Sequence, residues 1–176
     1  MTEQLPYQVL RTYPDFEVRR YPEYSVVECS IRGDFLSAGN RAFAPLFQFI
    51  SGNNSNGQRI AMTAPVLQAE IRDGEHRVAF VMPASMNPAS VPVPRGSNLS
   101  TKTVPGHDAV VRRYSGSWSE RKMREQADQL RAAVQRAGLT TVGEVTVARF
   151  DPPWKPGFLK RNEILLALAE PFPSAG

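Results

Sequence analysis

Two histidines and one cysteine are the residues of this sequence most suited to nucleophilic or metal-binding chemistry. His76 lies beside an Asp-Gly pair and His107 follows a Pro-Gly pair, so both are predicted at exposed loop ends, where a histidine is usually a solvated surface residue. Neither is expected to share a face with a carboxylate, and Ser, His and Asp form no recognisable arrangement, so the sequence indicates no acid–base pair. Cys29, as the single cysteine, has no disulfide or zinc-binding partner, which fits a reducing compartment.

Composition predicts one globular domain spanning residues 1–176. Hydrophobic residues make up 41% of the chain and charged residues 22%, which is enough to bury a sizeable core. No run approaches the roughly 20 apolar residues of a membrane helix, and residues 1–14 lack the features of a signal peptide. We therefore expect a cytoplasmic protein without a membrane span. The net charge of +4 favours an anionic partner.

The elements that must position these residues begin with three predicted strands at 7–12, 16–21 and 24–31, joined as a meander by Pro-containing turns. Asp34 is predicted to cap a helix that ends before Ser51-Gly52 and that Pro45 bends or makes locally irregular. Apolar residues recur along this helix at helical spacing: Leu36, Phe43, Leu46, Phe47 and Ile50. Two β-prone runs, 60–71 and 76–82, then flank Asp73-Gly74, which is a hairpin signal.

The second half of the chain repeats this order. A proline-rich loop over 83–96 precedes predicted strands at 99–104 and 109–114. Ser117 and Glu120 have the spacing of a capping box, and a helix with one apolar stripe follows, ending at Gly138. Its stripe consists of Met123, Ala127, Leu130, Val134 and Ala137. Strands at 144–150 and 163–169 flank a proline-rich loop.

A short internal echo supports a duplicated fold. The letters EVRRY at 17–21 are matched by VVRRY at 110–114, and each half of the chain gives strands, a helix and strands. We therefore predict the α+β class, with a distorted antiparallel β-barrel and two flanking helices built from a pseudo-symmetric strand–helix–strand unit.

Several motifs give the chain a family likeness that covers roughly residues 7–168. They are DFEVRRY at 15–21, SGNN at 51–54, IAMTAPV at 60–66, FDPPWKP at 150–156 and KRNE at 160–163. In this order they resemble the SOUL haem-binding family. The resemblance implies a distorted antiparallel barrel with two helices, and a role in binding haem or a related tetrapyrrole.

The resemblance also implies where a ligand binds: an apolar surface groove beside the first helix, covered by the proline-rich C-terminal loop. A porphyrin is a flat apolar disc with two carboxylates, so it needs apolar walls and cations at its rim. The residues that match these positions are Arg41, Phe43, Leu46, Phe47, Gln48, Trp154 and Lys155. For Phe43, Leu46 and Phe47 a core position is the alternative. Trp154 either caps the core or closes the groove.

The metal ligand, if there is one, is left open by the sequence. Neither histidine maps to the groove, and Cys29 precedes a serine, so the Cys-Pro pair of many haem-regulated proteins is absent. Met62, Met82 and Met86 are able to ligate iron but are more typical of core packing. We therefore predict loose binding without a fixed strong protein ligand.

Three function classes follow from these observations. The first is a tetrapyrrole carrier, buffer or scavenger; the second is an enzyme that removes iron from haem, as the resemblance allows; the third is a sensor domain for another small apolar ligand. A nucleic-acid-binding role is disfavoured, because Arg-Arg on a strand places one side chain on each face and cannot form a continuous basic stripe. The identity of a protein partner is left unknown by the sequence.

Overall fold

The computed structural model describes residues 2–96 and 98–174. Within these residues the chain forms strands and helices in the order β1 (Glu3–Gln4), β2 (Gln8–Thr12), β3 (Glu17–Tyr21), β4 (Tyr24–Arg32), α1 (Phe35–Ile50), β5 (Thr63–Ala64), β6 (Val66–Arg72), β7 (Glu75–Val81), β8 (Leu99–Val104), β9 (His107–Ser115), α2 (Glu120–Arg136), β10 (Thr141–Arg149) and β11 (Arg161–Leu168). The chain divides into two compact units, unit 1 (Met1–Leu5 and Glu23–Pro105) and unit 2 (Pro6–Pro22 and Gly106–Gly176). No helix of the described residues has the length and apolar character needed to cross a membrane.

Unit 1 contains four antiparallel strands in the order β6-β7-β4-β8, with α1 packed against β4 and β7. The predicted hairpin is confirmed: β6 and β7 are joined at Asp73-Gly74, where Gly74 has a φ of 69°, which glycine adopts at little cost. The helix and strands enclose an apolar core that includes Val27, Leu46, Phe49, Val78 and Phe80.

The first helix has the predicted bounds, because the capping residue before it and the Ser51-Gly52 pair after it act as the sequence indicates. Asp34 Oδ1 accepts a hydrogen bond from the backbone N–H of Ser37 at 2.9 Å, which caps the N-terminus, and the helix continues through Pro45. After the helix, the buried side chain of Asn54 organises the chain: its amide donates to the carbonyl oxygens of Phe49 (2.9 Å) and Gln58 (2.8 Å), and its oxygen accepts from the backbone of Asn56 and Gln58. The SGNN motif at 51–54 therefore has a structural role, because its last residue holds the chain that follows α1 in place.

Unit 2 contains five antiparallel strands in the order β2-β3-β9-β11-β10, with α2 packed on β9 and β11. Three residues of the predicted stripe, Ala127, Leu130 and Val134, are buried. Met123 and Ala137 are half-buried, and Ala133, which the stripe did not include, is buried. Gly138 follows the end of the helix with a φ of 74°. The helix begins later than predicted. The Trp118 indole donates to Asn162 Oδ1 at 3.1 Å and holds the preceding chain extended, so Ser119, not Ser117, is the N-cap.

The predicted α+β class and the duplicated unit are confirmed. Each unit has the order strand, helix, hairpin: β4-α1-β6-β7 in unit 1 and β9-α2-β10-β11 in unit 2. The strand orders correspond as well, because β6-β7-β4-β8 matches β10-β11-β9-β3. The short sequence echo does not mark this repeat. Its first copy lies on β3, which corresponds to β8, whereas its second copy lies on β9.

Two strand and side-chain predictions were wrong. The first three strands do not form a meander, because β3 pairs with β2 and β9 while β4 pairs with β7 and β8. His76 is not a surface residue: β7 already begins at Glu75, and the side chain that follows points inward and is 2% exposed. There it contacts Gln68 (3.3 Å) and the ring of Phe35. His107 begins β9 and is half-buried.

Candidate functional site

An apolar stripe on the outer side of α1 is exposed to solvent. It consists of Leu36, Phe43 and Phe47, which are 39%, 45% and 48% exposed, and we call it the α1 outer face. The two phenylalanine rings lie nearly parallel, with centroids 5.7 Å apart and an interplanar angle of 14°. Together they present an exposed aromatic surface.

The packing of unit 1 holds this surface in place. The Phe43 ring contacts buried Phe80 of β7 edge-on, with centroids 5.5 Å apart, so it is anchored on one side and exposed on the other. Leu46, one residue before Phe47, is fully buried in the unit 1 core and therefore lies beneath the exposed rings rather than among them. Of the predicted apolar helix residues, Phe43 and Phe47 are thus available to a ligand.

Two further predicted residues, Arg41 and Gln48, lie on the same helix, roughly 100–160° of helical rotation away from Phe43 and Phe47. Arg41 and Gln48 are both exposed and lie two turns apart, since seven residues separate them. The Arg41 guanidinium reaches back over the start of the helix, where an added methyl group at Gly33 would lie 3.3 Å from Nη1. A guanidinium and an amide are able to donate hydrogen bonds to carboxylates.

The proline-rich loop at 150–160 in unit 2 exposes a second set of apolar side chains: Trp154 (84%), Phe158 (77%) and Leu159 (54%). Trp154 therefore does not cap the core. Asp151 fixes the loop by accepting from Lys155 Nζ and from the backbone N–H of Arg161. Although burial raises the pKa of Asp151, these two hydrogen bonds outweigh it, and the pKa is lowered. A common groove for this loop and α1 stays a prediction.

Buried polar residues form a network in unit 2 that the sequence did not reveal. Arg19 donates to both carboxylate oxygens of Glu163 at 2.8 and 2.9 Å, and Arg161 donates to the same carboxylate at 2.9 Å. Burial opposes the charge on Arg19, but the hydrogen bonds and charge of Glu163 outweigh it and raise the pKa of the guanidinium. The only signals in the sequence were the arginine pair and the glutamate of KRNE.

Potential metal ligands other than histidine lie in the core of unit 1. Cys29 is buried, which raises the pKa of its thiol, and Met82 is 3% exposed. Met62 and Met86 pack against the same core cluster. Within residues 2–96 and 98–174 there is no group of three or more His, Cys, Asp or Glu side chains positioned to hold a metal ion.

The duplicated antiparallel unit, with one helix in each copy, defines an α+β protein, and the helix of the first copy has an exposed aromatic face. The chain belongs to the SOUL heme-binding protein family, whose model matches residues 2–167. A comparison with curated protein sequences gives no match.

Solved structures share the fold at low sequence identity. The C-terminal domain of EcmrR has a TM-score of 0.69 and 15% identity, with 94% of this chain and 99% of that chain covered. EcmrR in a cryo-EM complex with DNA has a TM-score of 0.67 and 16% identity, and the match covers 94% of this chain but 58% of that one. A hydrolase from Listeria innocua has a TM-score of 0.60 and 12% identity, covering 96% and 100%. Such likenesses extend to the fold alone.

Proposed function

We propose that this protein binds haem or a related tetrapyrrole reversibly on the α1 outer face, as a carrier, buffer or scavenger. The observation that carries the proposal is the exposed, stacked pair Phe43 and Phe47. Large aromatic side chains that remain half-exposed on a rigid helix leave apolar surface in water, and such surface is typical of ligand or partner contacts. Exposed aromatic surface of this kind suits the apolar face of a macrocycle.

The second helix provides an internal comparison. α2 occupies the corresponding place in unit 2, yet its outer side carries charged pairs, Arg121 with Glu125 at 3.1 Å and Arg124 with Glu120 at 2.9 Å. The duplicated fold thus does not require an apolar outer face on its helix. The fold therefore does not explain why Phe43 and Phe47 are exposed on α1, and contact with a ligand does explain it.

The Arg41 guanidinium and the Gln48 amide of the same helix suit the carboxylates at the rim of a tetrapyrrole, while the rings of Phe43 and Phe47 suit its apolar face. Because Arg41 and Gln48 lie roughly 100–160° of helical rotation from the rings, only a ligand that extends around the helix contacts both sets. Completing the burial of two half-exposed phenylalanines contributes roughly 2–3 kcal/mol. That is modest beside the total of a tight complex, which supports loose, exchangeable binding.

Trp154 and Lys155, on the proline-rich loop of unit 2, are proposed as ligand contacts in their own right. Trp154 has most of its indole available to a ligand because it is 84% exposed. Lys155 already pairs with Asp151, so a carboxylate of the ligand would have to share or replace that partner. We therefore expect Trp154 to contribute more than Lys155.

Titration of the purified protein with ferric haem, followed through the Soret band, tests the proposal. We expect a saturable spectral shift, and the Phe43→Ala/Phe47→Ala variant should bind about 10- to 100-fold more weakly. Val93→Ala is the matched control, because Val93 is also an exposed apolar residue of unit 1 but lies on a loop. Circular dichroism would verify that both variants are folded. Absence of a saturable shift, or equal affinities of the double variant and wild type, would contradict the proposal.

The fate of the ligand separates a carrier from an enzyme. A carrier returns the haem intact after extraction, whatever the incubation time. Iron-free porphyrin that accumulates with time and with protein concentration would instead favour removal of iron. Incubation under reducing conditions, followed by chromatography of the extracted pigment, distinguishes the two.

A further inference from the structure

The proline-rich loop at 150–160 reverses the usual distribution of polar and apolar side chains. Between residues 151 and 160 every exposed residue is apolar, and together these residues form what we call the loop tip: Pro153, Trp154, Pro156, Phe158 and Leu159. Single apolar residues on a surface are ordinary, whereas a concentration of them marks contact with another apolar phase. The proposed haem contacts include only Trp154 of this group, so the other exposed residues of the tip are not explained by haem.

The charged side chains of the loop are directed back toward the protein. Asp151 accepts a hydrogen bond from Lys155 Nζ. Lys160 is buried, and its ammonium donates to the carbonyl oxygen of Pro153 at 3.1 Å and lies 4.0 Å from the centroid of the Trp118 ring. These contacts hold the loop on unit 2, and they leave no charge on the tip itself that would have to be dehydrated in an apolar phase.

The backbone of the loop also suits an environment without water. Prolines occupy positions 152, 153 and 156 and have no N–H group. Three further N–H groups donate to carbonyl oxygens inside the loop at 2.9–3.2 Å, those of Lys155, Leu159 and Lys160. Gly157 packs so closely on the protein that a methyl group added to it would lie 2.2 Å from Ser117 Oγ. The loop is therefore stiff and satisfies much of its hydrogen bonding internally, which lowers the cost of transfer into a low-dielectric phase.

Positive charge lies close behind the loop tip. Residues 151–161 contain three cations and one acid, and the chain as a whole has a net charge of +4. The Lys122 ammonium of α2 lies beside Gly116, next to the segment that Gly157 contacts. A bilayer with anionic headgroups matches this arrangement, because its apolar interior receives the tip while its surface attracts the cations. Tryptophan is enriched at that interface, since its ring contacts both the apolar and the hydrated zone.

A protein partner fits the loop tip less well than a bilayer does. Stable protein interfaces use about 20–30 residues on each side and about ten hydrogen bonds, with a polar rim. The tip offers five apolar residues and no polar side chain. At a bilayer the attachment grows with the apolar area that is inserted, so a small tip is sufficient for reversible binding.

We propose that the loop tip inserts into the interfacial region of a phospholipid bilayer with anionic headgroups, and that Trp154, Phe158 and Leu159 are the inserted side chains. The attachment is peripheral and reversible, because only three large apolar side chains enter the bilayer. It is independent of haem binding by the α1 outer face, so failure of either proposal leaves the other in place.

Sedimentation of the ligand-free full chain with phospholipid vesicles tests the proposal. We expect binding to vesicles made of equal parts phosphatidylcholine and phosphatidylserine, and weaker binding to phosphatidylcholine alone. Phe158→Ser/Leu159→Ser should bind the mixed vesicles at least about 10-fold more weakly while its haem affinity stays unchanged. Val142→Ser is the matched control and should bind like wild type, because Val142 and Leu159 are 55% and 54% exposed and both belong to unit 2.

Fluorescence quenching by lipids brominated on their acyl chains distinguishes insertion from adsorption at the surface. The chain has two tryptophans, and Trp118 is half-buried beneath the loop, so Trp154 is the one available to the bromine atoms. We expect the vesicles to quench the emission of wild type. Trp154→Phe should still sediment with the vesicles but lose this quenching.

Three results would overturn the proposal. Equal vesicle binding by wild type and Phe158→Ser/Leu159→Ser would mean that surface charge alone attracts the protein. Quenching that survives in Trp154→Phe would place another part of the chain in the bilayer. Absence of vesicle binding, with self-association of wild type that the double variant loses in analytical ultracentrifugation or without it, would exclude lipid as the occupant of the tip. Melting temperatures within a few degrees of wild type verify that the variants are folded, as expected for exposed positions.

Discussion

Glu163 lies at the centre of the buried ion-pair network in unit 2, and neutralising it measures how far the fold depends on that network. Its side chain is 1% exposed and that of Arg19 is 4% exposed, and two hydrogen bonds of 2.8 and 2.9 Å join them. Glu163→Gln keeps the shape but removes the charge and one acceptor oxygen. Arg19 then retains Glu17, which is 35% exposed, as its carboxylate partner.

The magnitude follows from the cost of an uncompensated buried charge. Removing one partner of a buried pair typically costs about 3–5 kcal/mol, and glutamine keeps one acceptor, so we expect about 3 kcal/mol for Glu163→Gln. For a chain of this size that corresponds to a fall in melting temperature of roughly 6–12 °C. Glu120→Gln is the matched control. Its pair with Arg124 lies at the surface of α2, and its loss should cost about 0.3–0.5 kcal/mol.

Urea unfolding and differential scanning calorimetry measure both variants against wild type. A double variant, Arg19→Met/Glu163→Leu, supplies the decisive comparison, because it removes both charges and leaves apolar groups of similar volume. We expect it to be more stable than Glu163→Gln. The reasoning is refuted if Glu163→Gln costs less than about 1 kcal/mol, or if the double variant is less stable than the single one.

Three further results are expected. Asn54→Ala should lower the free energy of unfolding by about 2–4 kcal/mol in urea melts, because it leaves buried backbone groups without partners, whereas Asn53→Ala, at an exposed position, should have little effect. Hydrogen bonds from Arg20 hold the pKa of Asp108 below its usual range, so this carboxylate stabilises the fold above pH about 4 and the contribution is lost as the pH falls through the lower folded-state pKa. Asp108→Asn should consequently be less stable at pH 7 and lose less stability on acidification. Trp154→Ala should leave the melting temperature unchanged, because the indole is 84% exposed, and should weaken haem binding in a Soret titration.

Local signals in the sequence were sufficient for the bounds of α1 and for the β6–β7 hairpin. Asp34 and the Ser51-Gly52 pair bound α1 because capping and chain reversal depend on adjacent residues. Strand partners depend on distant ones, and the pairing of β3 with β9 joins segments about 90 residues apart, from Glu17 with Val111 to Tyr21 with His107. Proximity along the chain therefore suggested a meander that does not form.

The sequence was sufficient to predict that α1 carries apolar candidate residues, but not which of them are exposed. The apolar positions of α1 are too many for one face, so neighbouring residues were equally good candidates for the core and for the groove. Leu46 and Phe47 are adjacent, yet 100° of helical rotation places the first in the core and the second in solvent. Likewise, the environment of His76 depends on where β7 begins, and one residue of difference moves the side chain from the surface to the interior.

The residues that carry the family likeness mainly stabilise the fold. They therefore indicate the fold of the protein more directly than they indicate its ligand. Arg19, Asn54, Asn162 and Glu163 belong to the recognised motifs and are all less than 4% exposed, with hydrogen bonds to partners that hold strands and loops together. Buried polar residues are costly to replace one at a time, so they persist as motifs whatever the protein binds. Of the ligand candidates, Phe43 and Phe47 lie outside those motifs, whereas Trp154 and Lys155 belong to FDPPWKP. Substitutions of Phe43 and Phe47 leave the buried networks intact, and a change in haem affinity or spectrum in such variants therefore reports on binding rather than on folding.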